Sequence, residues 1–116
     1  MSDPTIPVER TDDPPATIVA PAGPIDMSNS PELRHALRSA LENGTDRLVV
    51  DLSGVEYMDS SGLATLVEAM RSARAEPSVP MVICCLNETV RAVFEIARLD
   101  QFFEITDSRD EAVRAG

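Results

Sequence analysis

The chain has 116 residues, 43% of them hydrophobic and 26% charged, with 10 basic side chains against 20 acidic ones. That length fits one domain with one modest core. A net charge of −10 repels phosphate backbones, which argues against nucleic acid as a partner and favours a basic or mixed-charge protein surface.

No apolar run approaches the roughly 20 residues that cross a bilayer, so membrane insertion is not expected. The opening Met1-Ser2-Asp3-Pro4-Thr5-Ile6-Pro7 has neither a basic start nor an apolar run of signal-peptide type, and a cytoplasmic location is expected. Residues 1–15 are rich in proline and charge and read as a flexible leader. The folded domain is expected over residues 16–116.

Ala16-Thr17-Ile18-Val19-Ala20 is a strand candidate stopped by Pro21, and Gly23-Pro24-Ile25-Asp26 is a second short one, suited by its proline to an edge. Ser30 as N-cap and Pro31 in the first turn open a helix. Its apolar stripe is Leu33, Ala36, Leu37, Ala40 and Leu41, and Asn43-Gly44 ends it. Leu48-Val49-Val50, extending to Leu52, is a continuous aliphatic run that suits a strand covered on both faces.

A second helix is predicted from about Ser60 to Ala73, with the stripe Leu63, Leu66, Val67 and Met70. Val79 to Leu86 is the next strand, and Asn87 can cap a helix striped by Val90, Val93, Phe94 and Ala97. Phe102-Phe103-Glu104-Ile105 is a last short strand, and Asp107 or Ser108 can cap a terminal helix carrying Ala112 and Val113. This alternation predicts an α/β domain with a mixed, mainly parallel sheet of four to five strands and about four helices.

Catalytic patterns are lacking. His35 falls mid-helix on a polar face with no assignable acidic or nucleophilic partner. There is no nucleophile elbow, no phosphate-binding loop and no dinucleotide fingerprint. Cys84 and Cys85 are adjacent, would face opposite ways on a strand, and read as buried free thiols. No enzyme activity, cofactor or metal is expected.

Asp59-Ser60-Ser61-Gly62 stands apart. It follows an aliphatic strand and opens an apolar-periodic helix, so it places two hydroxyls where the first backbone N–H groups lack partners inside the helix. One reading is an N-cap with a small-residue first turn. The other is a regulatory phosphosite. A phosphoryl group adds about −1.5 to −2 charges. A helix N-terminus tolerates that charge, whereas the adjacent Asp59 opposes it.

The segment Asp51-Leu52-Ser53-Gly54-Val55-Glu56-Tyr57-Met58-Asp59-Ser60-Ser61-Gly62-Leu63 resembles the signature of the STAS domain, as found in bacterial anti-sigma factor antagonists. Gly23-Pro24-Ile25-Asp26 and the stretch Asn87 to Phe94 resemble the early strand and third-helix region of that family, and the likeness covers roughly residues 16–114. The resemblance implies a STAS-like fold and a non-enzymatic switch. In such antagonists the unphosphorylated protein binds an anti-sigma factor that is also a serine kinase, and so releases a sigma factor. Phosphorylation by the kinase breaks the complex, and a phosphoserine phosphatase restores it.

Carried onto this chain, the resemblance makes Ser60 the phosphoacceptor, with Asp26, Asp59, Ser61 and Gly62 at or near the partner surface. ATP would belong to the kinase. Helix geometry gives a different answer. At about 100° per residue the predicted stripe centres about 70° from Ser60 and about 170° from Ser61, which makes Ser61 the more exposed and the alternative acceptor. STAS-like domains also serve as subunits of stress-signalling scaffolds and of lipid ABC transporters, which stand as alternative settings.

Overall fold

A computed structural model describes residues 6–115. Five strands alternate with four helices: β1 Val8–Asp12, β2 Pro15–Val19, α1 Ser30–Glu42, β3 Leu48–Asp51, α2 Ser60–Arg74, β4 Met81–Cys84, α3 Glu88–Ile96, β5 Glu104–Thr106 and α4 Arg109–Arg114. The sheet runs in sequence order, β1-β2-β3-β4-β5. β1 is antiparallel to β2, and every other pair is parallel. The expected mixed, mainly parallel α/β sheet is therefore the one observed.

Side-chain alternation along the central strands divides the interior. Val19, Leu48, Val50, Met81 and Ile83 point to one face and pack with Leu33, Leu37, Leu66, Met70, Val90 and Phe94 of α1, α2 and α3. Ala16, Ile18, Val49, Val82 and Cys84 point to the other and are covered by Ala112 and Val113 of α4. β3 and β4 are buried throughout, which is why they read as unbroken aliphatic runs. Each fully buried Val or Leu contributes about 1.5–3 kcal/mol.

Four expectations need correction. The stretch read as a flexible leader over 1–15 supplies β1, a strand whose side chains are mostly exposed; with both faces wet, it carries no apolar alternation to detect. The part of that leader covering residues 1–5 lies outside the described residues. Gly23-Pro24-Ile25-Asp26 forms no strand. It makes isolated bridges instead, Ala22 with Gly54 and Ile25 with Met58. Asn29, not Ser30, precedes α1 as its N-cap residue, and its side chain accepts from the Asp26 amide at 2.8 Å rather than from its own helix.

Cys85 lies beyond the end of β4 with a φ of 69°, so the two thiols do not diverge as they would along a continuous strand. Both remain free, as expected, with Cys84 buried and Cys85 half-buried.

Candidate partner-binding site

β3 delivers the chain to the connector between Leu52 and Asp59, and α2 begins at Ser60. The connector is tied down from two sides. The Ile25 amide donates to the Tyr57 carbonyl at 2.9 Å, and the Asp59 amide donates to the Ile25 carbonyl at 3.1 Å. From the far side, the Asn87 side-chain amide donates to the Val55 carbonyl at 3.0 Å, while its oxygen caps α3 by accepting from the Val90 amide at 2.7 Å. Every bond fixes a backbone group that would otherwise be left without a partner in a loop.

Asp59 is the N-cap of α2. Its Oδ1 accepts from the Ser61 amide at 2.8 Å, from the Gly62 amide at 3.3 Å and from the Ser61 hydroxyl at 2.6 Å. The same turn occurs next door: Asp26 Oδ1 accepts from the Ser28 amide at 2.9 Å and from the Ser28 hydroxyl. Because Ile25 is bridged to Met58, the two acidic turns lie side by side. The Ser61 hydroxyl, with the Ser61 and Gly62 amides after it, holds the Asp59 carboxyl below the usual carboxylate range. The Ser28 hydroxyl and amide do the same for Asp26, against the opposing charge of Asp59. Both turns therefore present ionised carboxylates at neutral pH.

The two serines are not equivalent. Ser61 spends its hydroxyl on Asp59 and is half-buried, and its carbonyl accepts from the Thr65 hydroxyl at 2.9 Å. Ser60 is exposed at the start of the helix. The helical-wheel expectation that Ser61 is the more exposed is thus reversed. The predicted stripe is too narrow: α2 also buries Gly62, Thr65, Ala69 and Ala73, while Val67 is only half-buried. These small residues turn the buried face toward α1, and the turn at Asp59 draws Ser61 inward.

Of the five residues expected at a partner surface, Ser60 is exposed, and Asp26, Asp59 and Ser61 are half-buried. Gly62 is buried. A Cβ there would come within 2.5 Å of Met58 Cγ and 2.9 Å of Ile25 Cγ2. Its glycine lets α2 close on the bridge between the two turns; it does not reach the surface.

Sequence reasoning missed the apolar partners of this surface. Met27, 76% exposed, is the central residue of the Asp26 turn, and Tyr57, 48% exposed, lies on the connector. A signal for the turns was present in the chain. Asp-x-Ser occurs at Asp26-Met27-Ser28, Asp51-Leu52-Ser53 and Asp59-Ser60-Ser61, and in each the aspartate accepts from the serine amide two residues on.

An exposed hydroxyl next to the Asp59 carboxylate, with Asp26 and the exposed Met27 on the adjoining turn and Tyr57 on the connector, describes a contact surface rather than an enclosed reaction site. No helix among the described residues is long and apolar enough to cross a membrane.

Comparison with known proteins agrees with this arrangement. An anti-sigma-B factor antagonist of Listeria monocytogenes is 34% identical over 90 residues, covering 78% of each protein. The crystal structure of an anti-sigma factor antagonist from Mycobacterium paratuberculosis superposes with a TM-score of 0.81 at 28% identity, covering 98% of this chain and 97% of that one. The fold is shared by the Bacillus cell fate determinant SpoIIAA in its phosphorylated form, at a TM-score of 0.68 and 19% identity over 95% of this chain and 97% of that one. The family model of the STAS domain matches residues 5–112, and with strands, helices and acidic turns in the places described, the chain belongs to the STAS domain family.

Proposed function

We propose that this protein is an anti-sigma factor antagonist that binds an anti-sigma factor with serine kinase activity while unphosphorylated, and is released by phosphorylation of Ser60. The observation that carries the reading is the difference between the serines: Ser60 is exposed at the N-terminus of α2, whereas the Ser61 hydroxyl is bound to Asp59 at 2.6 Å. The names of the relatives support the general role.

The chemistry of release rests on charge. The unmodified surface offers Met27 and Tyr57 for apolar contact and Asp26 and Asp59 for ion pairing. A phosphoryl group on Ser60 adds about −1.5 to −2 charges next to the Asp59 carboxylate. The positive end of the α2 dipole tolerates it at an exposed position, so the fold persists. The partner meets a surface with far more negative charge and a bulky hydrated group in place of a hydroxyl. A phosphoserine phosphatase reverses the change, and regulation of sigma-dependent transcription is the outcome.

The test is reconstitution with the cognate kinase and ATP. Ser60→Ala should take up no label and bind constitutively, whereas Ser60→Glu should fold normally and bind at least about tenfold more weakly, roughly 1.4 kcal/mol. Labelling of Ser60→Ala to the wild-type extent would move the site to Ser61 or elsewhere. Recovery of a transporter ATPase or a stress-signalling scaffold in place of a kinase, from the protein's own host, would replace the partner.

A further inference from the structure

The face of the sheet under α4 holds a second cluster of polar groups, distinct from the serine surface. Asp51 ends β3 and is 4% exposed. In the parallel register its neighbour is Cys84, the last residue of β4, so their side chains lie on one face. The chain then departs from the strand. Cys85 takes a φ of 69°, a conformation that non-glycine residues rarely adopt. That turn brings the second thiol back to the side of the first. Asp51, Cys84 and Cys85 each offer a ligand atom within 4.8 Å of the other two.

We propose that Asp51, Cys84 and Cys85 bind a thiophilic divalent cation of the Zn²⁺ class. Two thiolates and a carboxylate are a ligand set such ions favour, and a tetrahedral ion would take water as its fourth ligand. Cys85, being half-buried, is the way in.

Asp51 is held in place by neighbours on both of its oxygens. Arg109 of α4 donates to Asp51 Oδ2 through Nε at 2.9 Å and lies on it through Nη2 at 2.8 Å, while its Nη1 reaches Glu9 Oε1 of β1 at 2.7 Å. The Ser53 amide donates to Asp51 Oδ1 at 2.9 Å. On the other side Thr106 of β5 pairs with Cys84 and directs its hydroxyl to the Ser108 carbonyl at 2.9 Å. With both thiols protonated, the one Arg109 cation faces the two carboxylates of Asp51 and Glu9. When a divalent cation enters, the two thiol protons leave to solvent, and the sum of charges is unchanged.

The test uses the full chain, reduced with a phosphine so that both thiols are free, and titrated with Cd²⁺ and Zn²⁺. One Cd²⁺ per chain should give a thiolate-to-metal charge-transfer band, and Zn²⁺ added to the metal-free protein should be retained as one ion in native mass spectrometry and be displaced by Cd²⁺ with appearance of the band. Cys85→Ser, at the half-exposed position, should fold as wild type by circular dichroism and weaken uptake at least about a hundredfold. Asp51→Asn should weaken it about tenfold or more. Absence of the band in folded, reduced protein would overturn the site, and so would full uptake by Cys85→Ser.

Discussion

Asp26-Met27-Ser28 and Asp59-Ser60-Ser61 are built to one plan, with an aspartate oxygen accepting from the amide and hydroxyl of the serine two residues on. They differ in the residue at the middle. The first turn holds up a methionine and the second a serine, and both middle residues are exposed. The chain also leaves them differently. The Asp59 turn runs straight into a 15-residue helix, while the Asp26 turn leads through Asn29 into α1. One plan thus displays a fixed apolar contact beside a hydroxyl that can be modified, and only the second sits directly on the N-terminal end of α2.

The pairing of the turns is most vulnerable at Gly62, where the bridge between them has no spare room. Gly62→Ala gains about 1 kcal/mol of helix propensity, but overpacking costs about 1–3 kcal/mol, since the new Cβ would lie 2.5 Å from Met58 Cγ. A net loss of up to about 2 kcal/mol is expected in denaturant unfolding, and a raised midpoint would show that the two turns can move apart freely.

The capping roles separate next. Asp59→Ala removes an N-cap and should cost about 1 kcal/mol; Asp26→Ala removes no helix cap and should cost less than half of that. Equal losses would mean that the pair works as a unit.

Acid provides a gentler probe. Asp26 and Asp59 are held below the usual carboxylate range by their serines. For Asp51, burial pushes the other way and is outweighed by the Ser53 bonds and Arg109. A depressed folded-state pKa stabilises the fold above the unfolded value near 4, and that stabilisation is lost as pH falls through the folded value. Thermal midpoints should therefore fall as pH drops below about 4, and the fall should be shallower in Asp51→Asn.

The smallest stability effect is expected at Met27. Met27→Ser should unfold within about 0.5 kcal/mol of wild type, as exposed positions do, while capture of the partner weakens. If capture is unchanged, the methionine is a bystander and the serine turn alone faces the partner.

The parts of this architecture that were legible were those with a period. Leu33, Leu37 and Ala40 announce α1, and Leu48-Val49-Val50 announces a doubly covered strand. Asp59 and Gly62 were found by their place at a helix start. What escaped had no local signature. Val8–Asp12 pairs across a turn with Pro15–Val19 despite polar faces. Arg109 meets Asp51 from 58 residues away. The return of the Cys85 thiol depends on a single backbone angle. The exposure of Ser60 turned on small residues, Thr65, Ala69 and Ala73, which a search for large apolar side chains passes over.

The sheet ends in two unlike rims. One is β1, five residues long with Glu9, Arg10 and Asp12 along it, and the other is β5, three residues long and opened by Glu104. Short, charged rims are poor templates for another chain's strand. Two copies meeting at high concentration would find no ladder to extend, so fibril growth and edge-to-edge dimers are disfavoured at the outset.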